Sequence, residues 1–275
     1  MTAARSRTEP ALNGHLLVSD AEHFRVDFEI NPYMSTRDQP DPCAARAEHA
    51  GIVRAHRAAG RRVERLPSAP DCPDMVFTAN AGLACGGQVV LARLPGPRRP
   101  ETPHHRAWFE ARGYTVVDAP YDFSGQGDAL PCGPLLLAGS GHRTDARMHP
   151  FLADRLGYEV VSLRTAGPLW YDLDLALGVV SPDLLLWCPE AFEPDSRSLI
   201  RALGLELVEV AESDARRFAL NLISDGRTVT MTDRAPRVAA LLRARGLTVV
   251  ELPTAQLAKG GGGVRCTALT LHPAR

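Results

Sequence analysis

One phrase recurs five times along the 275 residues: a helical run, a glycine, then a short β-branched stretch that ends near a proline or a charge. It reads Gly60-RRVERLP, Gly113-YTVVDAP, Gly157-YEVVSLR, Gly204-LELVEV and Gly246-LTVVELP, with separations of 53, 44, 47 and 42 residues. A near-constant period of this size marks repeated supersecondary units, none of which can bury its apolar face alone, so the units must stack on one another. Each glycine stands where a helix ends, because the residue after a helix commonly takes the left-handed conformation that glycine reaches without steric cost. The segments before them, 46–59, 103–112, 146–156, 196–203 and 234–245, carry apolar residues at helical spacing with Arg and Glu between.

Paired apolar runs broken by turn residues accompany the helices: 82–94, 129–140, 183–192 and 220–232. Gly-Gly, Cys-Gly-Pro and Asp-Gly-Arg within them are hairpin signals. The unit therefore reads ββαβ, and five such units close into a ring. The N-terminal strand, HLLVSD at 15–20 or FRVDFEI at 24–30, is expected to seal that ring against the last hairpin. The expected fold is an α/β propeller spanning 1–275 as one domain, with no linker. A doubly wound parallel sheet fits less well, since it would lack hairpins and would carry a glycine-rich strand-to-helix turn. The proline-rich patches 37–43 and 95–103 read as surface loops.

Charge narrows the function. Lys plus Arg number 31 and Asp plus Glu 32, for a net charge of -1, and no basic stripe offers itself to nucleic acid or an anionic membrane. No apolar run approaches the roughly 18 residues of a bilayer span, and the first thirty residues are too charged for a signal peptide. The expectation is a soluble, cytoplasmic protein. Its six cysteines include no C-x-x-C pair, so neither a structural zinc signature nor a disulfide framework is present and no metal or organic cofactor is implied.

Four segments could carry chemistry. In KGGGGVRCTALTLH, 259–272, four glycines allow close backbone approach to a ligand and lead into a strand bearing Cys266. A Walker-type phosphate loop fits less well, since it needs its lysine after the glycines and Lys259 precedes them. In GPLWYDLDLAL, 167–177, read as a strand, Asp172 and Asp174 share one face. Two carboxylates on so apolar a segment need a cation or donors to answer them. The third segment, CPDMVFTANAG at 72–82, carries Asp74 and Asn80, and the fourth, 122–145, carries Asp128, His142 and Arg143. Taken singly, these last residues fit ordinary turns and surface charges as well as a site.

In their order along the chain, PDMVFTANAG, GQGDAL, GSGHRTD, the x-Y-x-L-D-x-A-L segment and GGGVRC together resemble the guanidino-group-modifying superfamily, which includes dimethylarginine dimethylaminohydrolase, arginine deiminase, arginine dihydrolase and glycine amidinotransferase. The resemblance implies the pentein propeller with its ligand at the centre of the ring. It implies that Cys266 is the nucleophile holding a covalent amidino intermediate, that Asp174 grips the guanidinium and that Arg143 receives the substrate carboxylate. Asp74 and Asp128 fall among the substrate-binding positions. Asn80 stands where deiminases and dimethylaminohydrolases have aspartate, and is similar to the arginine dihydrolase branch. The implied partner is a small arginine-like molecule, with association into a homo-oligomer left open.

Two positions depart from the family pattern together. Asp172 replaces the histidine that serves as general acid and base, and Ser124 replaces the acidic residue that orients it. An ordinary aspartate is ionised at neutral pH. Proton delivery from Asp172 would therefore need help from burial and from the like charge of Asp174, and His142 is the alternative base nearest in sequence. The resulting expectation is a cysteine-dependent hydrolase of a guanidino C–N bond with altered acid/base machinery. An amidinotransferase, or a pocket that binds an arginine-like ligand without turnover, remains open.

Overall fold

A computed structural model describes residues 12–272; residues 1–11 and 273–275, parts of the expected 1–275 domain, lie outside the described residues. The chain opens with β1 (His15–Ser19), α1 (Pro42–Ala58) and β2 (Arg62–Leu66). Next come β3 (Gly82–Cys85), β4 (Gln88–Leu91), α2 (Glu101–Glu110) and β5 (Thr115–Asp118). The third group is β6 (Ala129–Cys132), β7 (Leu135–Ser140), α3 (Met148–Leu156) and β8 (Glu159–Arg164). The fourth is β9 (Leu177–Ser181), β10 (Leu184–Trp187), α4 (Pro194–Arg201) and β11 (Glu206–Glu209). A short helix α5 (Glu212–Ala215) then leads to β12 (Ile223–Ser224), β13 (Thr228–Thr232), α6 (Pro236–Ala244) and β14 (Thr248–Leu252), and β15 (Ala268–His272) follows.

In each group the first two strands pair antiparallel and the second pairs parallel with the strand after the helix, as in β6-β7-β8 and β12-β13-β14. The fifth ββαβ unit is split across the chain: β15 pairs antiparallel with β1, and β1 runs parallel to β2 across α1. Strand 15–20 thus completes a unit, but its partner is β15 and not the expected hairpin at 220–232. The alternative, 24–30, is irregular loop, tied down by Gln39, whose side chain accepts from Val26 N–H and donates to Val26 C=O. Two units also share one sheet, because β15 pairs parallel with β3 and joins them in the order β2-β1-β15-β3-β4-β5.

The repeat glycines behave as the pattern requires. Gly60, Gly113, Gly157, Gly204 and Gly246 all have φ between 70° and 81° at the exits of α1, α2, α3, α4 and α6. The helix starts are equally legible: Asp41 caps α1 by accepting from Ala44 N–H at 2.7 Å, and proline occupies the first turns of α1, α4 and α6. Each long helix lays its apolar face on strands of the ring, as Ile52 and Val53 of α1 and Val238, Ala239 and Leu242 of α6 do, all buried.

Before the first strand of every unit the chain makes a tight turn: Thr78–Ala81, Gly125–Gly127, Leu173–Leu175, the turn at 216–220, and Leu257–Gly260 followed by a turn at 264–267. These five turns carry or adjoin Asn80, Asp128, Asp174, Asn221 and Cys266. Two expectations are corrected by them. Asp172 and Asp174 do not lie on a strand, since 168–175 folds as two short 3-10 turns. The Leu173 N–H, which a strand would commit to a ladder, donates instead to Asp128 Oδ1 at 2.8 Å. Cys266 likewise precedes its strand, which starts at Ala268. A third correction concerns 95–103, which is not simply surface loop. Arg98 and Glu101 are buried there as a two-pronged ion pair, with Nε to Oε1 at 2.7 Å and Nη2 to Oε2 at 2.8 Å.

Candidate active site

The four glycines place the loop that carries Cys266. A Cβ on Gly262 would lie 2.3 Å from the Phe77 ring, whose other side is packed edge-on by Phe24 with centroids 5.5 Å apart. Gly261, at φ 89°, takes the left-handed turn that bends the chain toward Cys266. Asn221 then gathers the loop: its Oδ1 accepts from the N–H groups of Gly263 (3.1 Å), Arg265 (3.0 Å) and Cys266 (3.2 Å). Its Nδ2 lies 3.1 Å from Cys266 Sγ. The thiol is buried and donates to Asp174 Oδ2 at 3.4 Å. Burial above all, then the charges of Asp174 and Asp172, hold the Cys266 thiol well above the ordinary cysteine range.

Asp174 has its other oxygen, Oδ1, buried with no partner. Burial and the neighbouring Asp172 push the Asp174 carboxyl well up. Asp172 is buried beside it and is fully engaged. Its Oδ1 accepts from Ser124 Oγ at 2.7 Å, and its Oδ2 accepts from Asn80 Nδ2 and Arg143 Nη1, each at 3.1 Å. Three donors on one carboxylate form an arrangement suited to an acceptor, not to a proton donor. Asp172 and Ser124, the two positions expected to depart from the family pattern, are in direct contact with each other.

Asn80 belongs to the same network. Its Oδ1 accepts from Arg98 Nη1 at 2.8 Å, which fixes the amide so that Nδ2 faces Asp172 and Ser124. An aspartate at this position could answer Arg98 but would set a second carboxylate against Asp172. Gly127 makes room for the network, since a Cβ there would fall 2.6 Å from Asn80 Nδ2 and 2.7 Å from Asp172 Oδ2.

Arg143 lies over the Tyr171 ring, 4.1 Å from its centroid, while the Tyr171 hydroxyl donates to Gly261 C=O. In this structure the arginine expected to meet a substrate carboxylate is paired with Asp172. Asp128 supports the backbone: it accepts from Leu173 N–H and, at 2.6 Å, from Thr144 Oγ1. Burial and then Asp172 push the Asp128 carboxyl up to about 7. Asp74 is buried with Oδ1 unpartnered, 3.9 Å from Arg98, and burial pushes it up to about 7 against the pull of that arginine.

Direct contacts join Cys266 to Asp174 and, separately, Asp172 to Asn80 and Arg143. Asp172 and Asp174 are two residues apart in one segment, Asp128 is linked to it through Leu173, and Asp74 lies against Arg98. His142 is different: it is exposed, and makes no hydrogen bond to Cys266 or Asp172. Two residues of the network are not apparent from the motifs. Arg98 hides in a proline-rich segment, and Asn221 follows the turn at 216–220 that precedes β12. The five-unit repeat could have found Asn221, because that turn is equivalent to those bearing Asn80, Asp128, Asp174 and Cys266.

The comparisons agree with this architecture. Residues 29–272 match the family described as N,N dimethylarginine dimethylhydrolase, eukaryotic. The N(G),N(G)-dimethylarginine dimethylaminohydrolase of Mycobacterium tuberculosis is 36% identical over 251 residues, covering 91% of this chain and 83% of the relative. The bifunctional arginine dihydrolase/ornithine cyclodeaminase AgrE of Nostoc is 36% identical over 269 residues, 92% of this chain but only 37% of that longer protein. Among solved structures, the N-terminal domain of ArgZ covalently bound to a reaction intermediate superposes with a TM-score of 0.90 at 33% identity, covering 94% of this chain and 98% of that one. An AgrE variant in complex with L-arginine gives 0.90 at 34% identity, over 95% of this chain and 40% of that one. By family match and by relatedness along most of its length, the chain belongs to the dimethylarginine dimethylaminohydrolase family, within the guanidino-group-modifying superfamily.

Proposed function

We propose that this protein hydrolyses a C–N bond of an arginine-like guanidinium through a covalent amidino intermediate on Cys266. The observation that carries the reading is Asp174, with one oxygen against the Cys266 thiol and the other buried and unpartnered. A buried carboxylate oxygen without a donor is costly, and a guanidinium N–H is a donor that would satisfy it while bringing the guanidinium carbon to the sulfur. The cation also offsets the negative surroundings that keep the thiol protonated, so the nucleophile is activated by its own substrate.

In the proposed sequence, Cys266 Sγ attacks the guanidinium carbon as the thiol proton passes to Asp174. Asp174 returns that proton to the leaving nitrogen as its C–N bond breaks and the amine departs. Water then attacks the amidino carbon, the C–S bond breaks, and the thiol regains a proton from the water. Asp172, held by Ser124, Asn80 and Arg143, acts as the fixed negative wall of the guanidinium site. Arg143 leaves Asp172 to meet the substrate carboxylate. Asn80 supports an arginine dihydrolase-like course, as in the relatives AgrE and ArgZ, where the relatives' names state that activity.

The test is incubation with arginine and N-methylated arginines, following citrulline, ornithine, ammonia and free amine, with Cys266→Ala as control. Ammonia with citrulline or ornithine, together with a Cys266-dependent mass adduct, is the expected result. Amidino transfer to an added amine without hydrolysis would mark a transferase. Tight arginine binding with neither product nor adduct would sink the catalytic reading in favour of a binding pocket.

A further inference from the structure

We propose that Asp71, Cys72 and His104 form a metal site of zinc type on the flank of the ring, separate from the thiol centre. One oxygen of Asp71, the sulfur of Cys72 and one imidazole nitrogen of His104 all lie within 4.8 Å of one another. The Cys72 Sγ to Asp71 Oδ1 separation is 3.8 Å. Ligands about 2.3 Å (sulfur) and about 2.0 Å (oxygen or nitrogen) from a tetrahedral ion stand about 3.5 Å apart, so small side-chain rotations close the set. Thiolate, imidazole and carboxylate together select zinc over the hard cations magnesium and calcium.

Cys72 packs in the apolar cluster with Leu66, Met75 and Trp108, and its thiol donates only to Asp71 among the described side chains. Among the described residues Asp71 forms no ion pair, and His104 makes neither a hydrogen bond nor an ion pair. Cys72 is buried, His104 is half-buried and Asp71 is exposed, so three protein ligands face an open side where water can complete the shell. The lack of a C-x-x-C signature is explained by the fold: two ligands come from the turn at 69–75 and the third from the first turn of α2.

An ion here would staple two elements that both reach the ring centre. The turn continues into Asp74 and Asn80, and α2 carries Glu101, the partner of the Arg98 that orients Asn80. Bound metal would therefore stiffen that side of the site without touching the reacting atoms.

The probe is cobalt(II), titrated into full-length Cys266→Ala protein so that the central thiol cannot compete. The expected result is one equivalent bound with a sulfur-to-cobalt charge-transfer band. The band should be lost in Cys72→Ser, at least tenfold weaker in affinity in His104→Ala, and unchanged in Cys43→Ser, which removes the exposed thiol. Zinc should raise the melting temperature of the protein but not of its His104→Ala variant. Absence of the band, or its survival in Cys72→Ser, overturns the proposal. Neither readout depends on turnover, so the outcome is independent of the proposed reaction.

Discussion

Asn221 holds Cys266 from both ends of one amide: the carbonyl oxygen gathers three backbone N–H groups of the Cys266 loop and the amide nitrogen stands 3.1 Å from the sulfur. Asn221→Ala leaves those buried donors without an acceptor, each costing about 1–3 kcal/mol where water cannot replace it. The variant should lose about 3 kcal/mol in chemical denaturation and at least tenfold in turnover. An unchanged midpoint would mean that the loop holds itself.

Arg98 and Glu101 make a buried ion pair on which Asn80 also depends. Arg98→Met strands Glu101, and breaking a buried pair in this way costs about 3–5 kcal/mol. Arg98→Met combined with Glu101→Leu removes both charges and should recover much of that loss. Denaturation midpoints that fall further in the double variant than in the single one would contradict this account.

Asp74 and Asp128 both have carboxyl groups raised to about 7. Between the usual carboxylate range and pH 7 the folded protein keeps these protons and the unfolded chain has lost them. The unfolded state therefore binds fewer protons, and their contribution to stability falls as pH rises across that window. Asp74→Asn should flatten this part of the curve, giving a relative gain at pH 8 over pH 5. Urea midpoints measured across the pH range check the sign, and an Asp74→Asn curve parallel to the parent's would refute it.

Asp172 and Ser124, read from the sequence as replacing a histidine and an acid, touch each other. Converting them together, Asp172→His with Ser124→Glu, restores a group able to give and take a proton near neutrality. Hydrolysis of arginine or methylarginine should rise at least tenfold in the double variant and less in either single one. An unchanged rate would place the divergence elsewhere in the pocket.

The ring could be read from its glycines because the left-handed helix exit is a local demand that leaves a fixed residue at a fixed place. Helix spans are equally local, and so are three of the hairpins. The segment 183–192, however, holds only β10 and a 3-10 turn, its hairpin partner being β9 at 177–181, inside the apolar run that precedes Pro182 and Asp183. The central turns could not be read in this way. The 167–177 segment alternates like a strand, and it was long-range hydrogen bonding, Asp128 to Leu173 N–H, that turned it into 3-10 structure. The glycine run and the paired acids mark Cys266 and Asp174 in the sequence itself, whereas the roles expected of them, and of Asn80 and Arg143, rest on the family resemblance. Arg98 escaped because a charged residue between prolines looks solvated until its buried partner is seen.

The split fifth unit has a consequence for assembly. Because β15 slots between β1 and β3, strands made far earlier, the central sheet stays interrupted until that late segment arrives. Cys266 sits two residues ahead of this closing strand. Completing the sheet and bringing Cys266 to its place beside Asp174 are therefore the same event: a nascent or nicked chain missing this stretch carries two raw β edges and lacks the central thiol.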